Sequence, residues 1–243
     1  MLRLLLLSSS RAGETGYLDH AQPLIADFLN AHSTSIQSVL FIPFAGVSKT
    51  FDAYLEQVRP AFQAIDIKVL SLHETVNPMA AIREAEAVVV GGGNTFALVK
   101  RLYEFNLLWT LRDRVAEGVP YIGWSAGSNI AGPTLCTTND MPIIEPPSFT
   151  TLGLVPFHIN PHFLVGKPAG HNGESREERL AEYLSLNLRE RVVALREGTA
   201  LRREGDALSL IGELDGEIFD VNGQQTIVAG SRLDILLTME EPT

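Results

Sequence analysis

Short apolar runs alternate with longer amphipathic stretches along most of this chain. Residues 4–7, 38–44, 68–72, 87–90, 121–124, 154–159 and 192–195 read as strands. Most of them are apolar at successive positions, the pattern of strands covered on both faces. Residues 17–31, 50–64, 95–105, 107–117 and 176–188 carry helical periodicity. The last of these follows Ser175, with Glu178 three residues on, a capping-box pattern. Strand and helix in alternation predict an α/β fold, a mostly parallel sheet flanked by helices on both faces. After Gly198 the pieces shorten. Residues 207–211, 217–220 and 226–228 are strand-like and are separated by Asp215-Gly216 and Asn222-Gly223. They predict C-terminal antiparallel hairpins appended to the sheet edge. No linker, repeat or low-complexity segment interrupts the pattern, so a single domain over residues 1–243 is expected.

Composition narrows the functional classes. Hydrophobic residues make up 45% of the 243 residues, enough to build a core of useful size. The formal net charge of −10 repels phosphate backbones and anionic lipid, so neither nucleic acid nor membrane is expected as a partner. An acidic substrate would need a local cation. Cys136 is the only cysteine, which leaves no internal disulfide and no cysteine metal site and fits a reducing compartment. The start MLRLLLLSSS is too short in its apolar run for a secretion signal, and no stretch is long enough to span a bilayer. A soluble, cytoplasmic protein is expected.

Gly123-Trp124-Ser125-Ala126-Gly127 matches G-x-S-x-G. A serine on a sharp strand-to-helix turn takes strained backbone angles, and flanking glycines relieve the crowding. Its hydroxyl then projects above the carboxyl ends of the strands, where open α/β sheets bind ligands. The alternative is a turn with no chemistry. A second loop, Gly91-Gly92-Gly93-Asn94-Thr95, follows Val88-Val89-Val90 and opens a helix, an arrangement that holds negative charge. It lacks the third glycine of a dinucleotide fingerprint, Phe96 standing there, and the lysine of a phosphate loop. Backbone N–H groups of Gly93 and of Ala126 are therefore candidate oxyanion donors.

A serine hydroxyl needs a base. Of His20, His32, His73, His158, His162 and His171, the sequence favours His162. It follows Pro161 at the carboxyl end of a strand, on the same sheet edge as Ser125. His158 lies inside that strand as a core residue, and His20 and His32 are read as surface positions. A His158/His162 metal pair lacks a third ligand, so no metal and no cofactor is expected. Two acids are candidates to orient the histidine, Asp140 in the loop Thr137–Pro142 and Glu197 after the strand at 192–195. Their positions alone do not separate them.

In chain order, LLLLSSS, FIPFAGV, VGGGNTF, IGWSAGSN, TTNDMPI, INPHF, GESREER and Glu197-Gly198 resemble the α-aspartyl dipeptidases of serine peptidase family S51. The resemblance covers nearly the whole chain. It implies a class I glutamine amidotransferase-like (flavodoxin-like) fold and cleavage of Asp-X dipeptides with a free amino group. It maps the nucleophile to Ser125, the base to His162, and the acid to Asp140 or Glu197. Gly93 and Ala126 match oxyanion donors, Arg176 the arginine that recognises the aspartate carboxylate, and Asn94 a substrate-binding position. The expected partner is a small-molecule substrate, and the chain is expected to be a monomer or small homo-oligomer. Rival readings are a cyanophycinase-like S51 peptidase acting on aspartate-rich polymers, a non-catalytic ligand-binding protein on the same fold, and a nucleotide-binding protein using the glycine run.

Overall fold

The N-terminal leucine run forms β1 (Arg3–Leu7), buried at every position. The structure is a computed structural model and describes residues 1–167, 169–170 and 172–238; His171, among the candidate bases, lies outside them. After β1 the chain continues through α1 (Gln22–Asn30), β2 (Ser38–Ile42), α2 (Phe51–Gln63), β3 (Lys68–Ser71), α3 (Pro78–Glu84), β4 (Val88–Val90), α4 (Thr95–Glu104) and α5 (Leu108–Ala116). Then come β5 (Tyr121–Trp124), α6 (Ala126–Asn129), β6 (His158–Asn160), α7 (Arg176–Leu186) and β7 (Val192–Ala194). After these come β8 (Ala200–Glu204), β9 (Ala207–Ile211), β10 (Gly216–Asp220) and β11 (Gly223–Ile227).

Seven strands form the main sheet in the order β3-β2-β4-β5-β1-β8-β9. The first five run parallel, and the β8–β9 hairpin joins β1 antiparallel. The expected sheet, with helices on both faces and a hairpin at its edge, is what forms. Period two explains the unbroken apolar runs. Leu4 and Leu6 pack into one layer with α4 and α5 residues such as Leu98, Val99 and Leu111. Leu5 and Leu7 pack into the other, with Ile25 and Phe28 of α1 and Val58 and Phe62 of α2. Each such leucine, fully withdrawn from water, contributes roughly 1.5–3 kcal/mol.

Several expectations change. The strand anticipated at 154–159 is confined to β6, and β6 and β7 do not join the main sheet. They form a second sheet of four strands, β11-β10-β7-β6. The Asp215-Gly216 pair is thus the crossing from β9 in one sheet to β10 in the other, while β10 and β11 make the second hairpin. Its paired residues Asp220 and Gly223 leave Val221 and Asn222 as the turn. The anticipated helix over 17–31 begins later, at Gln22, and α3 and β8 are additional elements. α7 opens with the expected capping box: the Ser175 hydroxyl accepts from the Glu178 N–H, and the Glu178 carboxylate accepts from the Ser175 N–H at 2.7 Å.

α7 covers the second sheet over a small core of Phe163, Leu180, Leu184, Val192 and Phe219. His158 is buried beneath it, with Nε2 3.0 Å from the Tyr183 hydroxyl and 3.2 Å from the Glu190 carboxylate. Burial holds this imidazole below the usual histidine range, with Glu190 opposing more weakly. A histidine kept neutral by the fold stabilises it above the free histidine pKa, near 6.5. As pH falls through that value towards the lower folded pKa, the unfolded chain takes up the proton more readily and the contribution is lost. The melting temperature, followed by circular dichroism, is expected to fall between about pH 7.5 and about pH 5 more steeply in the wild type than in His158→Gln. Equal slopes would remove His158 from the acid response.

Candidate active site

β5 ends at Trp124, and Ser125 adopts φ 54° and ψ −114° before α6 begins at Ala126. A positive φ at a non-glycine residue is strained, and such strain persists where surrounding structure enforces it. The enforcement here is close packing of strand on helix. A Cβ on Gly123 would lie 2.5 Å from the Gly127 carbonyl oxygen, so only glycine permits the approach. The Tyr121 hydroxyl donates to the same carbonyl at 2.6 Å, and the Ser128 hydroxyl donates to the Leu7 carbonyl at 2.6 Å. Gly123→Ala is expected to cost about 1–3 kcal/mol through overpacking, measured by urea unfolding. Wild-type stability would show that the strand and helix separate freely.

His162 meets this serine from the second sheet. Its Nε2 lies 2.9 Å from Ser125 Oγ and its Nδ1 lies 2.7 Å from Glu197 Oε1. His162 also has a positive φ, 54°. Ser8, the residue after β1, positions it. The Ser8 hydroxyl accepts from the His162 N–H at 2.9 Å and donates to the Leu195 carbonyl at 2.8 Å. One serine thus joins the carboxyl end of β1 to the segment after β7 that carries Glu197. The imidazole and the carboxylate are both partly open to solvent. With Nδ1–H donated to Glu197, Nε2 is left to accept the serine proton, the arrangement a general base requires.

Asp140, the other candidate acid, is engaged elsewhere. Its Oδ2 accepts from the Thr95 N–H and the Thr95 hydroxyl, both at 2.7 Å, and from the Thr138 hydroxyl at 3.1 Å. It therefore closes the N-terminus of α4, where a helix attracts an anion, and the structure gives it no hydrogen bond to His162. Of the two acids, the one on the histidine is Glu197.

Ala126 directly follows Ser125, and Gly93 lines the cavity that opens over it. Among the described residues neither N–H has an acceptor, so both are free to donate. Gly93 has φ 135°, and a Cβ there would fall 2.3 Å from the Ala45 carbonyl oxygen. Asn94 caps α4 through the Ala97 N–H, and its Nδ2 donates to the Met141 carbonyl at 2.9 Å. A cavity of about 580 Å³ opens over Ser125, His162, Gly93 and Asp140, large enough for a small peptide. Arg176 lies in an adjoining cavity of about 160 Å³, with Asp140 bordering both. Among the described residues its guanidinium has no hydrogen-bond partner, and burial lowers its pKa from the usual arginine value. His32 and His73 take no part in this cluster. His20, read from sequence as a surface residue, is a correction: both its ring nitrogens are buried and unpartnered among the described residues. Burial holds it below the usual histidine range, against the pull of Asp19 and Glu197. It lies in the short turn Asp19–Ala21 ahead of α1.

Comparison with known proteins finds relatives along nearly the whole chain. The sequence model of peptidase family S51 matches residues 4–211. Peptidase E of Shewanella amazonensis is 48% identical over 237 residues, 97% of this chain and 99% of that protein. Peptidase E of Haemophilus influenzae is 49% identical over 195 residues, 80% of this chain and 88% of its own. Among solved structures, a putative peptidase E from Listeria monocytogenes superposes with a TM-score of 0.65 at 22% identity, covering 87% of this chain and 98% of its own. A peptidase from an acI-B1 Actinobacterium gives 0.67 at 15% identity, covering 96% of each chain. At such identities the two structures speak for the fold. Among the described residues no helix is long and apolar enough to cross a membrane. Family model and full-length relatives together establish that the chain belongs to peptidase family S51.

Proposed function

We propose that this chain is a serine dipeptidase that hydrolyses dipeptides with an N-terminal aspartate, through an acyl-enzyme at Ser125. The observation that carries the reading is His162, bonded to Ser125 Oγ on one side and to Glu197 on the other. In the proposed mechanism Ser125 attacks the α-carbonyl of the aspartate residue, the carbonyl of the peptide bond, and expels the amine of the second residue. His162 takes the hydroxyl proton and returns it to the leaving amine. Glu197 holds the imidazole tautomer and stabilises the imidazolium. The Gly93 and Ala126 N–H groups stabilise the oxyanion, each donor worth about 3 kcal/mol. Water, activated by the same histidine, then releases aspartate.

Arg176 is the proposed counter-ion for the substrate's side-chain carboxylate. A protein of net charge −10 needs a dedicated cation for an acidic ligand, and a guanidinium with no hydrogen-bond partner among the described residues keeps both arms of its fork available. Asp140 lies between this arginine and the catalytic cavity. The contact between Ser125 and His162 favours catalysis over passive ligand binding, because a binding protein has no use for a poised base. The test is a panel of Asp-Leu, Ser-Leu and longer aspartyl peptides. Arg176→Ala is expected to lower kcat/KM for Asp-Leu by about a hundredfold, as for loss of a charge-assisted pair, and to leave the slow rate on Ser-Leu nearly unchanged. Equal losses on both substrates would remove its role in specificity. Efficient cleavage of long aspartyl chains would favour a polymer-degrading peptidase instead.

A further inference from the structure

The Gly93 N–H belongs to the same peptide unit as the Gly92 carbonyl, and that carbonyl is held. The Tyr54 hydroxyl of α2 donates to Gly92 O at 2.8 Å. The Tyr17 hydroxyl donates to the Tyr54 oxygen at 3.0 Å, and Trp124 Nε1 donates to the Tyr17 oxygen at 2.9 Å. An indole N–H can only donate and a carbonyl can only accept. Both ends of the chain therefore run its protons one way, from Trp124 to Gly92. Trp124 directly precedes Ser125, so the chain ties the nucleophile's own strand to the glycine loop across α2 and the segment before α1.

The surroundings leave this chain little freedom. Tyr54 is 2% and Trp124 1% exposed. Phe41 stacks on the Trp124 ring at 6.0 Å and meets Tyr54 edge-on at 5.0 Å. A Cβ on Gly91 would lie 2.5 Å from the Tyr54 hydroxyl, so the loop sits directly against it. Burial pushes both phenols above the usual tyrosine range, which keeps their protons in place as donors. A trans peptide is planar, with its C=O and N–H pointing in opposite directions. Holding Gly92 O against Tyr54 therefore turns the Gly93 N–H to the other side of the loop. Ser125 is close by: a Cβ on Gly92 would be 2.9 Å from Ser125 Cβ.

We propose that Tyr54, oriented by Tyr17 and Trp124, is a positioning residue that fixes the Gly92–Gly93 peptide so that the Gly93 N–H faces the developing oxyanion. The proposal rests on the reading of Ser125 as nucleophile and Gly93 as oxyanion donor. Tyr54 lines the cavity over Ser125, but its hydroxyl is committed to Gly92 O, and the role proposed for it acts through the peptide plane. Without its hydroxyl the peptide is free to turn, and the loss falls on the transition state alone.

The test is Tyr54→Phe, which keeps the ring against Phe41 and removes one hydroxyl. On the best cleaved dipeptide, kcat is expected to fall about 10- to 100-fold, less than deletion of an oxyanion donor costs. KM, inhibition by free aspartate and the pH profile should stay at wild-type values. Inhibition by an aspartyl aldehyde, whose tetrahedral adduct carries the oxyanion, should weaken by the same factor as kcat/KM. Tyr17→Phe, one bond further from the loop, should give a smaller loss of the same kind, and it serves if Tyr54→Phe does not fold. Wild-type kcat and aldehyde inhibition in the folded variant would overturn the proposal. So would a parallel loss of aspartate binding, which marks a distorted pocket. Ser125→Ala, assayed alongside, separates the layers. If it stays active, the underlying nucleophile reading fails; if it is inactive while Tyr54→Phe is wild type, only the positioning role fails.

Discussion

Glu197→Gln is expected to lower kcat for Asp-Leu by about 10²- to 10³-fold, while Asp140→Asn costs less than about tenfold, with both proteins folded. The glutamine keeps the size of the side chain but replaces one carboxylate oxygen with an N–H₂ group. Turned towards His162, that group donates to Nδ1 and favours the tautomer with its proton on Nε2, which cannot accept from Ser125. Turned the other way, the amide oxygen holds the correct tautomer but no longer balances an imidazolium. A buried triad loses about 10⁴ by such a change. The smaller figure expected here follows from solvent, because Glu197 is 50% exposed in its side chain and water takes up part of its role. Asp140, by contrast, is tied to Thr95 and Thr138. Its replacement should loosen the start of α4 and lower the melting temperature more than the rate. Steady-state kinetics of both variants decide the matter, and a larger loss in Asp140→Asn would reverse the assignment.

Much of the fold is legible in the chain because strand periodicity and burial coincide. Leu4–Leu7 and Val88–Val90 are apolar at every position since each neighbour faces a different helical layer. The abrupt turn after Trp124 is equally legible, as glycines bracket the serine at the spacing that strand-on-helix packing demands. Sheet membership is not legible in this way. β6 and β7 have the composition of core strands, and only long-range pairing with β10 sets them in a second sheet. The expectation that His162 stands over the end of a strand near Ser125 holds in space, although the strand belongs to the other sheet. Its connection to the first runs through Ser8, which in the sequence is one of three serines after a leucine run.

The choice between Asp140 and Glu197 fails from sequence for a related reason. Each follows a segment that returns to the same edge of the molecule, and the difference lies in what else is near. Thr95 and Thr138 happen to converge on Asp140, a contact no local pattern announces. Tyr17, Tyr54 and Trp124 are still less visible. Each reads as an ordinary apolar position with an aromatic ring, and only the fold brings their polar atoms into one line ending on Gly92.

Hydrolysis of Asp-Leu by Ser125→Ala, compared with the wild type, tests the central claim most directly. Ser125 Oγ has one hydrogen-bonding partner among the described residues, His162, so the variant should fold and melt like the wild type. Its kcat should fall by a factor on the order of 10⁴–10⁶, since removal of a nucleophile leaves only binding and the oxyanion donors. Activity within tenfold of the wild type, in a preparation free of wild-type enzyme, would contradict the acyl-enzyme at Ser125 and every role assigned around it.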